Sequence, residues 1–312
     1  FQMNPWDDFY NKHQQKMYQD RHWLWQIFPE VFPLPPGRSY AECYSQICSC
    51  HVCGPLPLDQ LPCPHSPVYR SQFVQTEQFQ QLQDSAKPEL PDSAQKPKTK
   101  GLEVPFAPRD FSRQQLAVLE VGSGAGATVF PLLEKNAEVT VTCGDFSDSA
   151  NAVLAARPRF DSAVMTLQKM DVTVANFGVK GELAQKERFD FAIVIFVISA
   201  VPVDKIMVSL RNLLDALKPG GTLLFFDYAE GDFREEKRLQ RGERFEETWA
   251  GRLFNRQLED TPVVFFNERF IKEVEQEFAA VEVLQHEKME ENAKSGQKWV
   301  KKYLLLKIRK PQ

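Results

Sequence analysis

No stretch of the 312 residues stays apolar for the length a membrane helix needs, and the opening FQMNPWDDFY lacks the basic flank and apolar run of a secretory signal. Both absences point to a soluble intracellular protein, in the cytoplasm, the nucleus or both, with no membrane partner. Positive charge is also scarce. Lys and Arg number 38 against 42 Asp and Glu, a formal net charge of -4, so the molecule has no overall basic footprint and any nucleic-acid contact must be local. Cysteine is sparse outside one short region: Cys143 stands alone in an apolar segment, while Cys43, Cys48, Cys50, Cys53 and Cys63 crowd together. In a reducing compartment such crowding suggests a metal more than a disulfide framework. No internal repeat is found, and a chain of this length can bury a core without cross-links.

Three regions separate by composition. Residues 1–32 are aromatic and charged, and DRHWLWQIFPEVF reads as a helix closing at Pro33, a cap more than a core. Residues 33–113 are rich in Pro, Gln, Ser and Cys, with the makeup of an irregular insertion and solvated linker, most clearly in SAKPELPDSAQKPKTK. Residues 114–312 alternate apolar runs with helical segments, the pattern of parallel strands joined by crossover helices. LAVLEVG, EVTVTCGDF, VMTLQKMDV, FDFAIVIFVISAV and TLLFFDYA supply five strands in turn, the last entered through the turn KPGG. AVEVLQHEKM and KWVKKYLLLKIRK then form a hairpin-like finish, unlike the repeat of a nicotinamide dehydrogenase half. The expected architecture is an α/β, seven-stranded Rossmann-like domain with an N-terminal cap and a Cys/Pro-rich insertion.

The sharpest local signal is Glu120-Val-Gly122-Ser123-Gly124-Ala-Gly126 between a strand and a helix. Glycines there let the backbone turn tightly and approach a ligand in front of a helix N-terminus. Dinucleotide-binding folds use nearly the same turn, and a plain tight turn is the bland alternative. Asp145, with Phe146 beside it, ends the second strand where a carboxylate can accept both ribose hydroxyls, a feature NAD enzymes share. Asp171, followed by Val172 after the third strand, is placed to meet an adenine amino group; with the polar exit of the fourth strand and KPGG it favours S-adenosylmethionine over a dinucleotide.

NPWDDFY, DRHW, LEVGSGAGATVFPLL, CGDFS, IFVISAV, KPGG, DY and VVFF follow one another in the order seen in the 3-methylcytidine tRNA methyltransferases, which the chain resembles over residues 1–32 and 115–312. The resemblance implies an S-adenosylmethionine-dependent class I methyltransferase acting on N3 of a cytidine in the anticodon loop. It also implies that Trp6 and Tyr10 fold back over the cofactor, although packing aromatics on a helix would ordinarily be the simpler reading. Gly122, Asp145, Asp171 and Ile195 would line its site, and Arg21 and His22 of DRHW, with Arg256, would handle RNA. N3 of neutral cytidine has a free lone pair, so no general base is needed and catalysis rests on positioning and exclusion of water. A carboxylate could stabilise the cationic product; Asp227 and Asp7 are the candidates, with a strand-end acid bonded to backbone the equal alternative for Asp227.

Two departures bear on the RNA. Where the family reads Arg-Asp-Tyr-Gly-Arg-Tyr-Asp this chain has Phe226-Asp227-Tyr228-Ala229-Glu230-Gly231-Asp232, and Asp-Gly-Thr-Arg is Glu259-Asp260-Thr261-Pro262. The missing arginines leave room for a partner protein, such as another tRNA-modifying enzyme or a tRNA-binding subunit. Basic residues from Arg234 to Arg256 are interleaved with Glu235, Glu236, Glu243, Glu246 and Glu247, which makes a solvated helix face their default. Cys48, Cys50, Cys53 and Cys63 could hold one structural zinc, though only Cys50-His-Val-Cys53 has knuckle spacing and unligated thiols are the alternative. Competing readings are a methyltransferase for protein or small molecule, and a non-catalytic subunit of an RNA-modifying complex.

Overall fold

A computed structural model describes residues 4–13, 20, 21, 24, 27, 28, 30, 31, 115–179, 186–256, 261–291 and 296–312. The chain divides into two compact units, Phe1–His22 with Ala107–Gln312, and Trp23–Phe106. In the second unit the described residues form a short turn, with the amides of Ile27 and Phe28 both donating to the Leu24 carbonyl. The cysteines of the insertion, and His22, lie outside the described residues. Among the described residues no helix is long and apolar enough to cross a membrane.

The first unit opens with α1 (Pro5–His13). Its start is written in Asn4-Pro5: the Asn4 carboxamide accepts the Trp6 amide at 3.1 Å, while proline takes a first-turn position whose N–H would have no helical partner. After the insertion come β1 (Leu116–Val121), α2 (Val129–Lys135), β2 (Val139–Gly144), α3 (Asp148–Ala155), β3 (Met165–Leu167) and β4 (Phe189–Ile195). Next follow α4 (Ile206–Ala216), β5 (Leu217–Tyr228), α5 (Phe233–Gln240), β6 (Phe245–Glu247), β7 (Gly251–Arg256) and β8 (Thr261–Phe266). The chain ends with α6 (Glu268–Glu277), β9 (Val281–Glu291) and β10 (Lys298–Arg309).

Seven strands form one sheet in the order β3-β2-β1-β4-β5-β10-β9. Neighbours from β3 through β5 run parallel, whereas β10 is antiparallel to both β5 and β9. The buried strands are near-continuous apolar runs because helices cover both faces of a parallel sheet. Val194 on β4, Phe225 on β5 and Leu306 on β10 meet Leu210 and Leu213 of α4 and Phe270 of α6 in one core. Because the sheet is built outward from β1, first to β2 and β3 on one side and then to β4 and β5 on the other, a crevice opens outside the carboxyl ends of β1 and β4, the usual ligand position in open α/β sheets.

Two local expectations change. KPGG is not a turn ahead of β5 but part of it: pairing with β4 shifts register between Phe189 and Phe191, and Gly220 takes φ 75° in the resulting bulge. The basic stretch after β5 is not one helix face either. Arg234, Lys237 and Arg238 lie on α5, but Arg252 and Arg256 belong to β7, in a separate three-stranded antiparallel sheet ordered β6-β7-β8.

Candidate functional site

The glycine turn after β1 is bound to the end of β2. Ser123 supplies the joint: its hydroxyl accepts the Gly144 amide at 3.0 Å and reaches the Glu120 carbonyl at 3.1 Å. Gly122 and Gly124 have φ of 78° and 53°, in the region side chains rarely adopt. A Cβ on Gly122 would strike the Val197 side chain, and one on Gly124 would strike the Tyr10 hydroxyl, so the glycines are needed for approach as well as for turning. Asp145 is buried; its carboxylate accepts the amides of Gly124 at 2.9 Å and Ser147 at 3.0 Å. Burial holds its pKa above the usual carboxylate value despite those bonds.

A cavity of about 440 Å³ lies over this joint. Of the residues singled out from sequence, Trp6, Tyr10, Arg21, Gly122, Ser123, Gly124, Asp145, Phe146, Asp171, Val172 and Ile195 line it; Gly126 does not. Gly126, at φ 87°, instead lets Phe130 pack close beneath the turn. The lining combines Asp145 and Asp171 with the apolar Phe146, Met170 and Val172. Asp171 is fixed by the Thr173 amide at 2.9 Å and hydroxyl at 2.7 Å. Trp6, Arg21, Phe196, Thr261 and Pro262 also line the cavity, with Arg21 against Phe196.

The N-terminal segment closes the cavity. Phe9 and Tyr10 of α1 are buried against Ala125 and Ala150, small residues that let the helix sit close to the glycine turn and to α3. Further on, the Arg21 amide donates to the Ala127 carbonyl at 2.7 Å, and Asp20 accepts both guanidinium nitrogens of Arg157 at 3.1 and 3.2 Å. Arg21 is thereby left to other partners. Its guanidinium donates to the Thr128 hydroxyl at 2.8 Å and lies 5.5 Å from the centre of the Phe196 ring. Phe196 has φ 58°, a strained conformation of the kind found at binding sites.

Beneath Arg21 lies Glu120, which sequence reasoning quoted only as part of the motif. It is 2% exposed and bonded to the Thr128 hydroxyl, with Oε2 buried and without a hydrogen-bond partner. Burial pushes its pKa up to about 7, against the opposing pull of the Arg21 charge. The signal that could have found it was an acid inside an otherwise apolar strand.

Neither proposed catalytic acid lines the cavity. Asp7 is turned toward α3, where it accepts the Ser147 hydroxyl at 2.6 Å and the Ser149 amide at 3.1 Å, capping that helix. Despite the cost of burial, those bonds hold its pKa below the usual value. Asp227 is 1% exposed and accepts the amides of Ser199 and Tyr228, both at 2.9 Å. Burial raises its pKa to about 6. It fits the alternative weighed for it, a strand-end acid bonded to backbone.

The cations after β5 are mostly occupied by acids. Arg234 pairs with Asp232 at 3.0 Å, Arg238 with Glu243, and Arg252 with Glu230, Glu235 and Glu247. At the C-terminal hairpin Lys301 pairs with Glu290 and Lys302 with Glu287. Arg256 reaches the Thr261 hydroxyl and the Pro262 carbonyl, both at 3.1 Å. Among the described residues no group of three His, Cys, Asp or Glu could hold a metal.

Sheet order and site together define a class I methyltransferase domain: five parallel strands, a reversed hairpin at one edge, and a glycine turn facing acids after β2 and β3. A family model described as a methyltransferase domain matches residues 119–223. The chain is 29% identical over 236 residues to the human (Homo sapiens) tRNA N(3)-cytidine methyltransferase METTL2B, covering 74% of this chain and 59% of that one. It is 35% identical over 128 residues to the tRNA N(3)-methylcytidine methyltransferase trm141 of Schizosaccharomyces pombe, covering 41% and 50%. It is also 26% identical over 276 residues to O-methyltransferase 3 of Dictyostelium discoideum, covering 87% and 61%. By sequence, the chain is a relative of the tRNA N(3)-cytidine methyltransferases. It spans 50 to 61% of the length of these curated relatives.

The residues present fit S-adenosylmethionine. A cavity of about 440 Å³ is in the range of small-molecule sites. The acids and apolar residues of its lining suit a ribose diol and adenine, and the Gly122–Gly124 cradle leaves no room for a Cβ. Arg21, also in the lining, suits the carboxylate of an amino-acid tail.

Proposed function

We propose that this protein transfers a methyl group from S-adenosylmethionine to N3 of a cytidine in the anticodon loop of a tRNA, in the cytoplasm or nucleus. The observation that carries the reading is the joint cavity in which α1, through Trp6 and Tyr10, covers the glycine turn and the acids Asp145 and Asp171. Bound there, S-adenosylmethionine would supply a sulfonium methyl open to attack by a neutral nucleophile, the sulfur–methyl bond breaking to leave neutral S-adenosylhomocysteine. Asp145 and Asp171 hold the nucleoside portion, and Arg21 the carboxylate. The aromatic wall of Trp6 and Phe196 keeps water from the reacting face. Since N3 carries no proton, these residues need only bind, orient and exclude water. Paired N3 atoms are blocked by their hydrogen bonds, so the target is an unpaired or extruded base.

The neutralised arginines of α5 and β7 support a partner that supplies positive charge for the tRNA. The test is methyl transfer from labelled S-adenosylmethionine to bulk tRNA, by the chain alone and in its native complexes, with mass analysis of the nucleosides. 3-Methylcytidine above background is the expected result; cofactor binding with no tRNA product in either setting would refute the substrate. The similarity to O-methyltransferase 3 over 87% of this chain favours a second reading, methylation of a small molecule or protein, which the same assay separates by where the label goes.

A further inference from the structure

We infer that Arg256, expected by resemblance to act on RNA, is the positioning residue that holds the N-terminal aromatic lid over the cofactor cavity. This rests on the reading of that cavity as the S-adenosylmethionine site. Arg256 is the last residue of β7, and its cross-strand partner is Thr261 at the start of β8. One guanidinium nitrogen donates to both the Thr261 hydroxyl and the Pro262 carbonyl at 3.1 Å, which pins the planar group against β8. The guanidinium carbon then lies 5.7 Å from the centre of the Trp6 ring, within reach of a cation–π contact.

Thr261, Pro262 and Trp6 are all cavity-lining residues; Arg256 is behind them and is not. Its position therefore ties two walls of the cavity, the α1 lid and the edge of the small sheet, into one piece. Phe9 and Tyr10, one helical turn further on, and Asp7 at the head of α3 seat the helix itself, whereas the Trp6 ring is only partly buried, edge-on to Phe9 at 5.6 Å, and this contact holds it from the side of the small sheet. The Arg256 charge also favours the ionised form of the buried Asp227, a small effect beside the burial that raises its pKa. A side chain with these engagements on its own protein is poorly placed to serve as a phosphate contact.

The experiment is a double-mutant cycle of Arg256→Ala and Trp6→Ala read as S-adenosylmethionine affinity by calorimetry, with melting temperatures and with tRNA affinity at two salt concentrations. Each single variant should weaken cofactor binding roughly three- to tenfold, the span of a partly exposed cation–π contact, and the double variant no more than Trp6→Ala alone. Arg256→Lys, which keeps the charge but not the planar fork, should fall between wild type and Arg256→Ala, and it serves the cycle if Arg256→Ala does not fold. The salt slope of tRNA binding should be unchanged. Additive losses would overturn the inference, as would unaltered cofactor affinity with a reduced salt slope. Wild-type protein that binds no S-adenosylmethionine would instead sink the cofactor site itself.

Discussion

Asp145 and Gly124, 21 residues apart, share a hydrogen bond of 2.9 Å from the glycine amide to the buried carboxylate. The acid after β2 thus shapes the turn after β1 before any ligand arrives, and its remaining lone pairs can still accept hydroxyls. Asp145→Ala should lower S-adenosylmethionine affinity by about 1.5 to 3 kcal/mol, the loss of a charge-assisted acceptor, and should lower the melting temperature as well. Calorimetry and thermal unfolding read the two effects; unchanged affinity would exclude Asp145 from the site.

Arg21 was expected on sequence grounds to act mainly on RNA, yet its side chain sits in the cavity wall above Thr128 and Glu120. Arg21→Ala is expected to weaken cofactor binding about tenfold or more, by loss of a charged hydrogen bond, and to leave the salt slope of tRNA binding unaltered. Arg21→Lys should not restore it, because the ammonium lacks the planar donors that meet a carboxylate edge-on. A fall in tRNA affinity alone, with a shallower salt slope, would return Arg21 to the RNA face.

Glu120 makes stability pH-dependent in a window of its own. The folded protein keeps this proton up to about pH 7, whereas the unfolded chain releases it near the usual 4.5, so folding is favoured below the window and stability declines as pH rises through it. Between pH 6 and pH 8 the contribution is on the order of 1 kcal/mol. Glu120→Gln should flatten the melting-temperature profile over that interval relative to wild type. Parallel profiles for the two proteins would show that Glu120 does not titrate there.

Gly124→Ala combines a strained φ with a clash against the Tyr10 hydroxyl. The backbone part alone costs about 1 to 2 kcal/mol. Tyr10→Phe removes the atom that the new methyl would meet, so Gly124→Ala should be better tolerated in that background. Urea unfolding of the four proteins checks this; equal costs in both backgrounds would mean that the lid does not rest on the turn.

Much of the central sheet was legible because a buried parallel strand has to be apolar on both faces. FDFAIVI and TLLFFDY could hardly be anything else. The Gly turn, Asp145 and Asp171 could be singled out because glycines between a strand and a helix, and acids at the ends of apolar strands, stand out locally, and the structure brings Gly122, Gly124, Asp145 and Asp171 to one cavity. The three-stranded sheet was not, because β6 is FEE, an exposed strand, and β7 is GRLFNR, whose arginines read as easily on a helix. KPGG misled because a glycine pair signals a turn in sequence, while the bulge it makes depends on the register of β4. The contact of Arg256 with Trp6 joins positions 250 residues apart, 256 less 6, and no local pattern encodes it.

The strap formed by α1, Asp20 and Arg21 carries its own fastenings: Asp7 to the head of α3, Asp20 to Arg157 and the Arg21 amide to Ala127. None of them draws on the chain between position 31 and position 115. The seating of the strap is therefore set by contacts within its own unit and does not depend on the length of chain that joins position 31 to position 115. An insertion rich in Pro, Gln and Cys could accumulate at that point without unseating the lid. The same economy means that the connection could be cut after folding, by a protease site engineered between residues 85 and 100, with the N-terminal strap remaining docked as a non-covalent fragment.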